Sequence, residues 1–125
     1  MNINEISGDV VDAAMKVHSA LGPGLLESAY EGCLAYELRQ RGHEVKAQVG
    51  LPVIYGDVRI DVGYRLDLLV DDAVIVELKS LDKLAPIHEA QLLTYLKLSG
   101  KKVGLLINFN VLHLKEGLKR MVNKL

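Results

Sequence analysis

Cysteine is nearly missing from this chain: Cys33 is the only one. That excludes a disulfide framework and a multi-cysteine zinc site within one chain, and it fits a reducing compartment. A dominant charge is missing too. Lys plus Arg is 15 and Asp plus Glu is 16, a net charge of −1. No global positive field draws in nucleic acid, so any such binding needs a local patch. Long hydrophobic runs are also lacking. The uncharged stretch from Val103 to Leu114 is too short to span a bilayer. The opening residues, Met1 to Lys16, show no basic start followed by an apolar core, so the expectation is that they are not a signal peptide. Repeats, low-complexity tracts and linkers do not occur. What is present is 125 residues, 50% hydrophobic and 25% charged. That is the balance of a globular chain able to bury roughly two-thirds of its unfolded surface. The expectation is one domain over residues 1–125, cytoplasmic, with no membrane partner.

Periodicity sets the elements. Ile6, Val10, Ala14, Val17 and Leu21 draw one apolar stripe, which predicts a helix over Asn4 to Leu21. Gly22-Pro23-Gly24 breaks it. A second helix is expected from Leu26 to Arg41, with Leu26, Tyr30, Leu34 and Leu38 on its stripe and Gly42 as its stop. His43 to Tyr55 reads as extended, and Gly56-Asp57 as a turn. Val58 to Val70 alternates throughout and predicts one long strand. Asp71-Asp72 marks a turn before a strand over Val74 to Lys79. Pro86 can open a helix running to Ser99 and ended by Gly100. Val103 to Phe109 reads as a buried strand. The tail from Asn110 fits either a hairpin turning at Lys115-Glu116-Gly117 or a short helix. Together these elements predict an α/β domain with a mixed sheet. Its parts are an antiparallel three-strand meander, a crossover strand reached through the Pro86 helix, and flanking helices.

Several charged residues stand where a core pattern would not put them. Asp67 falls late in the long strand. Glu77 and Lys79 lie two apart on the next strand and share a face. Glu27 stands at the head of the second helix. A buried isolated charge costs several kcal/mol, so such carboxylates need partners, and a hard divalent cation is one. Lys79 beside them could activate a water or offset charge on a phosphate.

This set resembles the PD-(D/E)XK nuclease superfamily, and within it the small bacterial and archaeal family named for its GxxExxY motif, here Gly24-Leu25-Leu26-Glu27-Ser28-Ala29-Tyr30. The resemblance spans nearly the whole chain. It includes Leu21-Gly22-Pro23-Gly24, Asp67-Leu68-Leu69-Val70, Val76-Glu77-Leu78-Lys79, the Gln91-to-Leu96 stretch and Leu106-Ile107-Asn108-Phe109. RecB-type nucleases share the order of Glu on a helix, Asp on a strand, E-x-K on the next and Q-x-x-x-Y on the helix after. Leu66 stands where the superfamily's name has Pro. The resemblance implies a restriction-endonuclease-like core and a Mg²⁺- or Mn²⁺-dependent hydrolysis of phosphodiester bonds, in DNA ahead of RNA. Asp67, Glu77 and the backbone carbonyl of Leu78 would ligate the metal. Lys79 would be the catalytic lysine, and Glu27 an accessory acid at a second metal or an anchor of the site. Gln91 and Tyr95, one turn apart, would line the cleft.

The metal reading demands one strand register. A two-residue turn at Asp71-Asp72 would send Asp67 and Glu77 to opposite faces. A three-residue loop, Asp71 to Ala73, pairs Val70 with Val74 and Asp67 with Glu77, and is the predicted geometry.

Plainer readings stand beside these. Asp67 and Glu77 could pair with Arg65 and Lys79 on a solvated sheet face. Glu27 could be a first-turn acid favoured by the helix dipole. Tyr30 reads as a core or cleft-wall aromatic, His88 as a minor supporting residue on the Gln91 and Tyr95 stripe, and Cys33 as a small buried hydrophobe. Lys97, Lys101 and Lys102, with Lys115, Lys119, Arg120 and Lys124, form either a solvated surface or a phosphate-binding strip. No aromatic ladder accompanies them, which argues against a single-strand stacking platform. A nuclease fold retained for nucleic-acid or protein binding without turnover is the competing reading, and hydrolysis of another phosphate ester a third. So small a fold has little spare surface to grip a duplex, which points to a homodimer or a partner protein.

Overall fold

The computed structural model describes residues 1–124. In chain order the elements are α1 (Ile3–Leu21), α2 (Glu27–Gln40), β1 (Val45–Gly50), β2 (Val53–Tyr55), β3 (Val58–Ile60), β4 (Arg65–Val70), β5 (Val74–Lys79), α3 (Pro86–Ser99), β6 (Val103–Asn108), a 3₁₀ turn (Leu114–Gly117) and β7 (Leu118–Val122). Five strands form one sheet in the order β1-β4-β5-β6-β7. β5 and β6 run parallel, joined through α3, and the other neighbours are antiparallel. The chain therefore has the α/β architecture expected of a restriction-endonuclease-like fold. No helix among the described residues is long and apolar enough to cross a membrane.

The helices enclose the sheet from both sides. Val10, Ala14 and Val17 of α1 and Leu34 and Leu38 of α2 pack with Leu68, Val70, Val76, Leu78 and Leu105 on one face. On the other, Leu92, Tyr95 and Leu96 of α3 pack with Leu69, Ile75 and Leu106. Each fully buried Leu or Ile contributes roughly 1.5–3 kcal/mol. A capping box holds the start of α1, with the Glu5 N–H donating to Asn2 Oδ1 at 2.9 Å and the Asn2 N–H to Glu5 Oε1 at 3.1 Å.

Four expectations need correction. The long strand from Val58 to Val70 is two strands: residues 61–64 leave extended pairing where Gly63 adopts φ +82°, a region open mainly to glycine. The extended stretch from His43 to Tyr55 divides likewise into β1 and β2, parted at Leu51-Pro52. The meander β1-β4-β5 thus carries an inserted hairpin, β2–β3, which forms its own two-stranded sheet. Cys33 is exposed rather than buried, and Leu26 is the N-terminal flanking residue of α2, 77% exposed, not part of its apolar stripe. In the tail both alternatives occur in series, a 3₁₀ turn followed by a strand antiparallel to β6.

Candidate active site

The required register is present. Val70 pairs with Val74, Leu69 with Ile75 and Leu68 with Val76, across a three-residue loop in which Asp71 and Asp72 take φ of +52° and +53°. One step further, Asp67 stands opposite Glu77, and here side chains replace the backbone ladder. The Asp67 N–H donates to Glu77 Oε2 at 2.8 Å, and the Leu78 N–H donates to Asp67 Oδ2 at 2.9 Å. Each carboxylate is held by the backbone of the other's strand.

The first strand withdraws at the same point. Ala47 pairs with Leu68 and Val49 with Leu66, but the intervening pair, Gln48 with Asp67, is unmade. Gln48 adopts φ +53°, which takes its peptide out of the ladder. Its side-chain Nε2 donates to Glu31 Oε1 at 2.6 Å and reaches Asp67 Oδ1 at 3.4 Å.

α2 delivers its acids through the loop before it. Gly22 and Gly24 take φ of +71° and +101°. The Tyr30 hydroxyl donates to the Gly22 carbonyl at 2.6 Å and accepts from the Leu25 N–H at 3.1 Å. Ser80 Oγ, just past Lys79, donates to the Leu25 carbonyl at 2.7 Å. Glu27 therefore sits at the end of β5, within the electrostatic reach of both Asp67 and Lys79.

The electrostatics are strained. Glu77 is 5% exposed. Burial, and then the Asp67 charge, push its pKa up to about 8. Glu27 is raised by partial burial and by Asp67, with Lys79 working against both. Glu31 is raised by burial and by Asp67, while its bond from Gln48 works against both. Burial raises Tyr95, and the charges of Glu77, Tyr64 and Asp67 add to it. None of the ion pairs among the described residues includes Asp67, Glu77 or Lys79. The solvated ion-pair reading of these acids is thus not what forms.

No three acidic, histidine or cysteine side chains among the described residues close on one point as an all-protein metal cage. The donors fit a Mg²⁺-type ion instead, which takes one or two carboxylates and keeps several waters. Asp67 and Glu77 stand against each other, and no protein cation among the described residues pairs with either. Among the described residues the Glu77 oxygen not bonded to Asp67 has no protein donor, and no fully buried side-chain oxygen lacks a partner, so it opens to solvent.

The other expected residues divide. Tyr95, 8% exposed, packs beneath α3, and Gln91 lines a groove with it. Tyr30 is fully buried and stacks on Phe109 at 4.5 Å, so it staples a loop and lines no cleft. The His88 ring caps α3, its Nδ1 accepting from the Ala85 N–H at 2.9 Å. Lys101 pairs with Asp72 at 3.1 Å, at the end of β5 remote from Glu77, so it does not line the acids. Two participants escaped the sequence reading, and a third, Asn108, stood there only within the Leu106-to-Phe109 motif, without a role. Glu31 lies one turn after Glu27, a spacing that could have revealed it. Gln48 carries no sequence signal. Asn108 pairs in register with Lys79, and its amide clamps the chain beyond β5 by bonding both the N–H and the carbonyl of Leu81.

Paired strand carboxyls, a lysine two residues on and a helix glutamate stand within electrostatic reach of one another at the end of β5. The family model for the PD-(D/E)XK nuclease superfamily matches residues 4–121, and the chain belongs to that superfamily. No curated protein and no solved structure matches the chain.

Proposed function

We propose that this protein is a divalent-metal-dependent nuclease of the GxxExxY type that hydrolyses phosphodiester bonds, in DNA ahead of RNA by family analogy. One observation carries the reading: two strand carboxylates locked by each other's backbone, one of them buried, with no ion-pair partner among the described residues. Such an arrangement is costly unless a cation completes it. Asp67, Glu77 and the Leu78 carbonyl would hold Mg²⁺ or Mn²⁺, both of which suit oxygen ligands. The ion would supply a Lewis acid and a water of lowered pKa. Lys79 orients the attacking water and offsets negative charge gathering on the phosphate. Glu27 steadies the Lys79 ammonium from the opposite element. Gln91 and Tyr95 bound the side of the site nearest α3.

The test is cleavage of labelled linear and circular, single- and double-stranded DNA with Mg²⁺, Mn²⁺ or chelator. Metal-dependent cutting is expected, and Glu77→Gln and Lys79→Ala should each abolish it. Calorimetry should show divalent-ion binding lost in Glu77→Gln. That variant's melting temperature in chelator at pH 7 should not fall, because a neutral amide replaces a carboxyl that burial holds largely protonated below about pH 8. No cutting together with no ion bound by the unaltered protein would overturn the reading and leave a nuclease fold used for binding.

A further inference from the structure

Beside the carboxylates lies a groove of about 440 Å³ with different chemistry, lined by Val53, Tyr64, Ile87, Gln91, Thr94 and Tyr95, with no charged side chain in its walls. α3 forms one side and the chain around the β2–β3 hairpin the other. The Tyr64 and Tyr95 rings stand 6.4 Å apart at 51°. Tyr95 is 8% exposed, whereas Tyr64 is 48% and Ile87 69% exposed. The groove opens next to the acids: Glu77 shares its face of β5 with Ile75 by alternation, and Ile75 packs in the same cluster as Tyr95. The apolar surface continues outward, because the hairpin register puts Tyr55 and Val58 on one face with Val53 and Ile60.

We propose that this groove is a base-binding subsite for a nucleotide flanking the scissile phosphate, and that the substrate is unpaired nucleic acid, a single strand or a frayed end. The proposal rests on the nuclease reading above. A phosphodiester held at Asp67 and Glu77 brings its own bases within a nucleotide's length of Tyr95. Walls without charge offer nothing to the phosphate backbone, whose contacts are ionic. Aromatic and aliphatic faces suit the π-face of any base, and the Gln91 carboxamide offers both a donor and an acceptor to a base edge. Bases inside a duplex are paired and stacked, and reach such a groove only after costly extrusion. The two tyrosines are remote in sequence and meet only in the fold, so a scan for aromatics among the lysines misses them.

The experiment measures fluorescence anisotropy in Mg²⁺ on a Lys79→Ala background, which keeps the substrate whole. The probes are a labelled 12-nucleotide single strand, the same strand with abasic sites, and the blunt duplex. The single strand should bind at least 10-fold more tightly than the duplex. Tyr64→Ala should weaken single-strand binding roughly 10-fold, and Tyr64→Phe should retain it. The abasic strand should lose about as much, with no further loss in Tyr64→Ala. Ile87→Glu, at an exposed position where folding is not at stake, should weaken the single strand as well. Equal binding of duplex and single strand, or single-strand affinity untouched by Tyr64→Ala and Ile87→Glu, overturns the subsite while leaving the nuclease reading standing. So does a shift from dimer to monomer in Tyr64→Ala with nucleic-acid affinity unchanged, which would assign the groove to a second copy of the chain. Failure of the unaltered protein to bind any probe or any divalent ion overturns both.

Discussion

Gln48 bears a conformational cost that the acids explain. A glutamine at φ +53° occupies a region that side chains other than Asn and Asp rarely enter. It persists where the surroundings over-determine it, commonly at functional sites. Here it frees the strand edge opposite Asp67 and places one amide between two carboxylates, Glu31 and Asp67. That placement suits it to hold the Asp67 carboxylate in the orientation that the Leu78 N–H begins. Gln48→Gly relieves the backbone and deletes the amide. Calorimetry should then show divalent-ion affinity lowered roughly 10- to 100-fold, the usual cost of losing a group that orients a metal ligand. The melting temperature should hold within a few degrees. A purely structural glutamine would give the reverse, a less stable protein with unchanged ion affinity.

At the scale of elements, the loop from Gly22 to Leu25 shows how a short motif serves a site it does not touch. The glycines allow the sharp path, Glu27 opens the helix at the end of β5, and Tyr30, one turn along, ties the loop shut with two hydrogen bonds. Tyr30→Phe removes both bonds and leaves the Leu25 N–H and the Gly22 carbonyl short of a partner. The expected loss is about 1–3 kcal/mol of unfolding free energy in a denaturant titration. Cutting should fall while divalent-ion affinity, which the proposed function rests on β4 and β5, is kept. Equal loss of both would place Tyr30 in the general core instead. The sequence made β5, α3 and the pairing of Asp67 with Glu77 legible, because strict alternation and a three-residue loop leave one register that gathers the acids. It concealed the break at residues 61–64. Val62 and Tyr64 continue the apolar alternation there, and the interruption comes from the backbone of Gly63, which adds nothing to a pattern of side chains. Gln48 stayed hidden for a related reason: its meaning lies in which residue of β4 it opposes, and the pairing of β1 with β4 is long-range.

Across the whole molecule, one ionic cluster ties together four segments far from the acids. His43 is 7% exposed, with Nδ1 2.5 Å from Asp71 Oδ2 and Nε2 2.5 Å from Asp9 Oδ2. Arg41 joins it through Asp9 and Asp12, both at 2.8 Å, and through Glu37 at 2.9 Å. A neutral imidazole donates one hydrogen, so carboxylates at both ring nitrogens call for the doubly protonated ring. Burial opposes that charge, but the bonds and charges of Asp71 and Asp9 outweigh it and raise the His43 pKa. The bond from His43 lowers Asp9. Burial opposes the lowering of Asp71, but its bond with His43 overcomes it. The signs fix the window. The histidine's contribution is complete below its unfolded pKa of about 6.5 and is lost as pH rises through its higher folded value. The aspartates contribute fully above about 3.9 and lose their part as pH falls through their lowered folded values. The cluster therefore binds α1, the entry to β1 and the β4–β5 loop most strongly between about pH 4 and 6.5. That loop sets the register on which Asp67 and Glu77 depend. His43→Gln should lower the melting temperature by several degrees at pH 5.5, and the gap from the unaltered protein should narrow steadily toward pH 9. A gap independent of pH would show that His43 acts through packing alone.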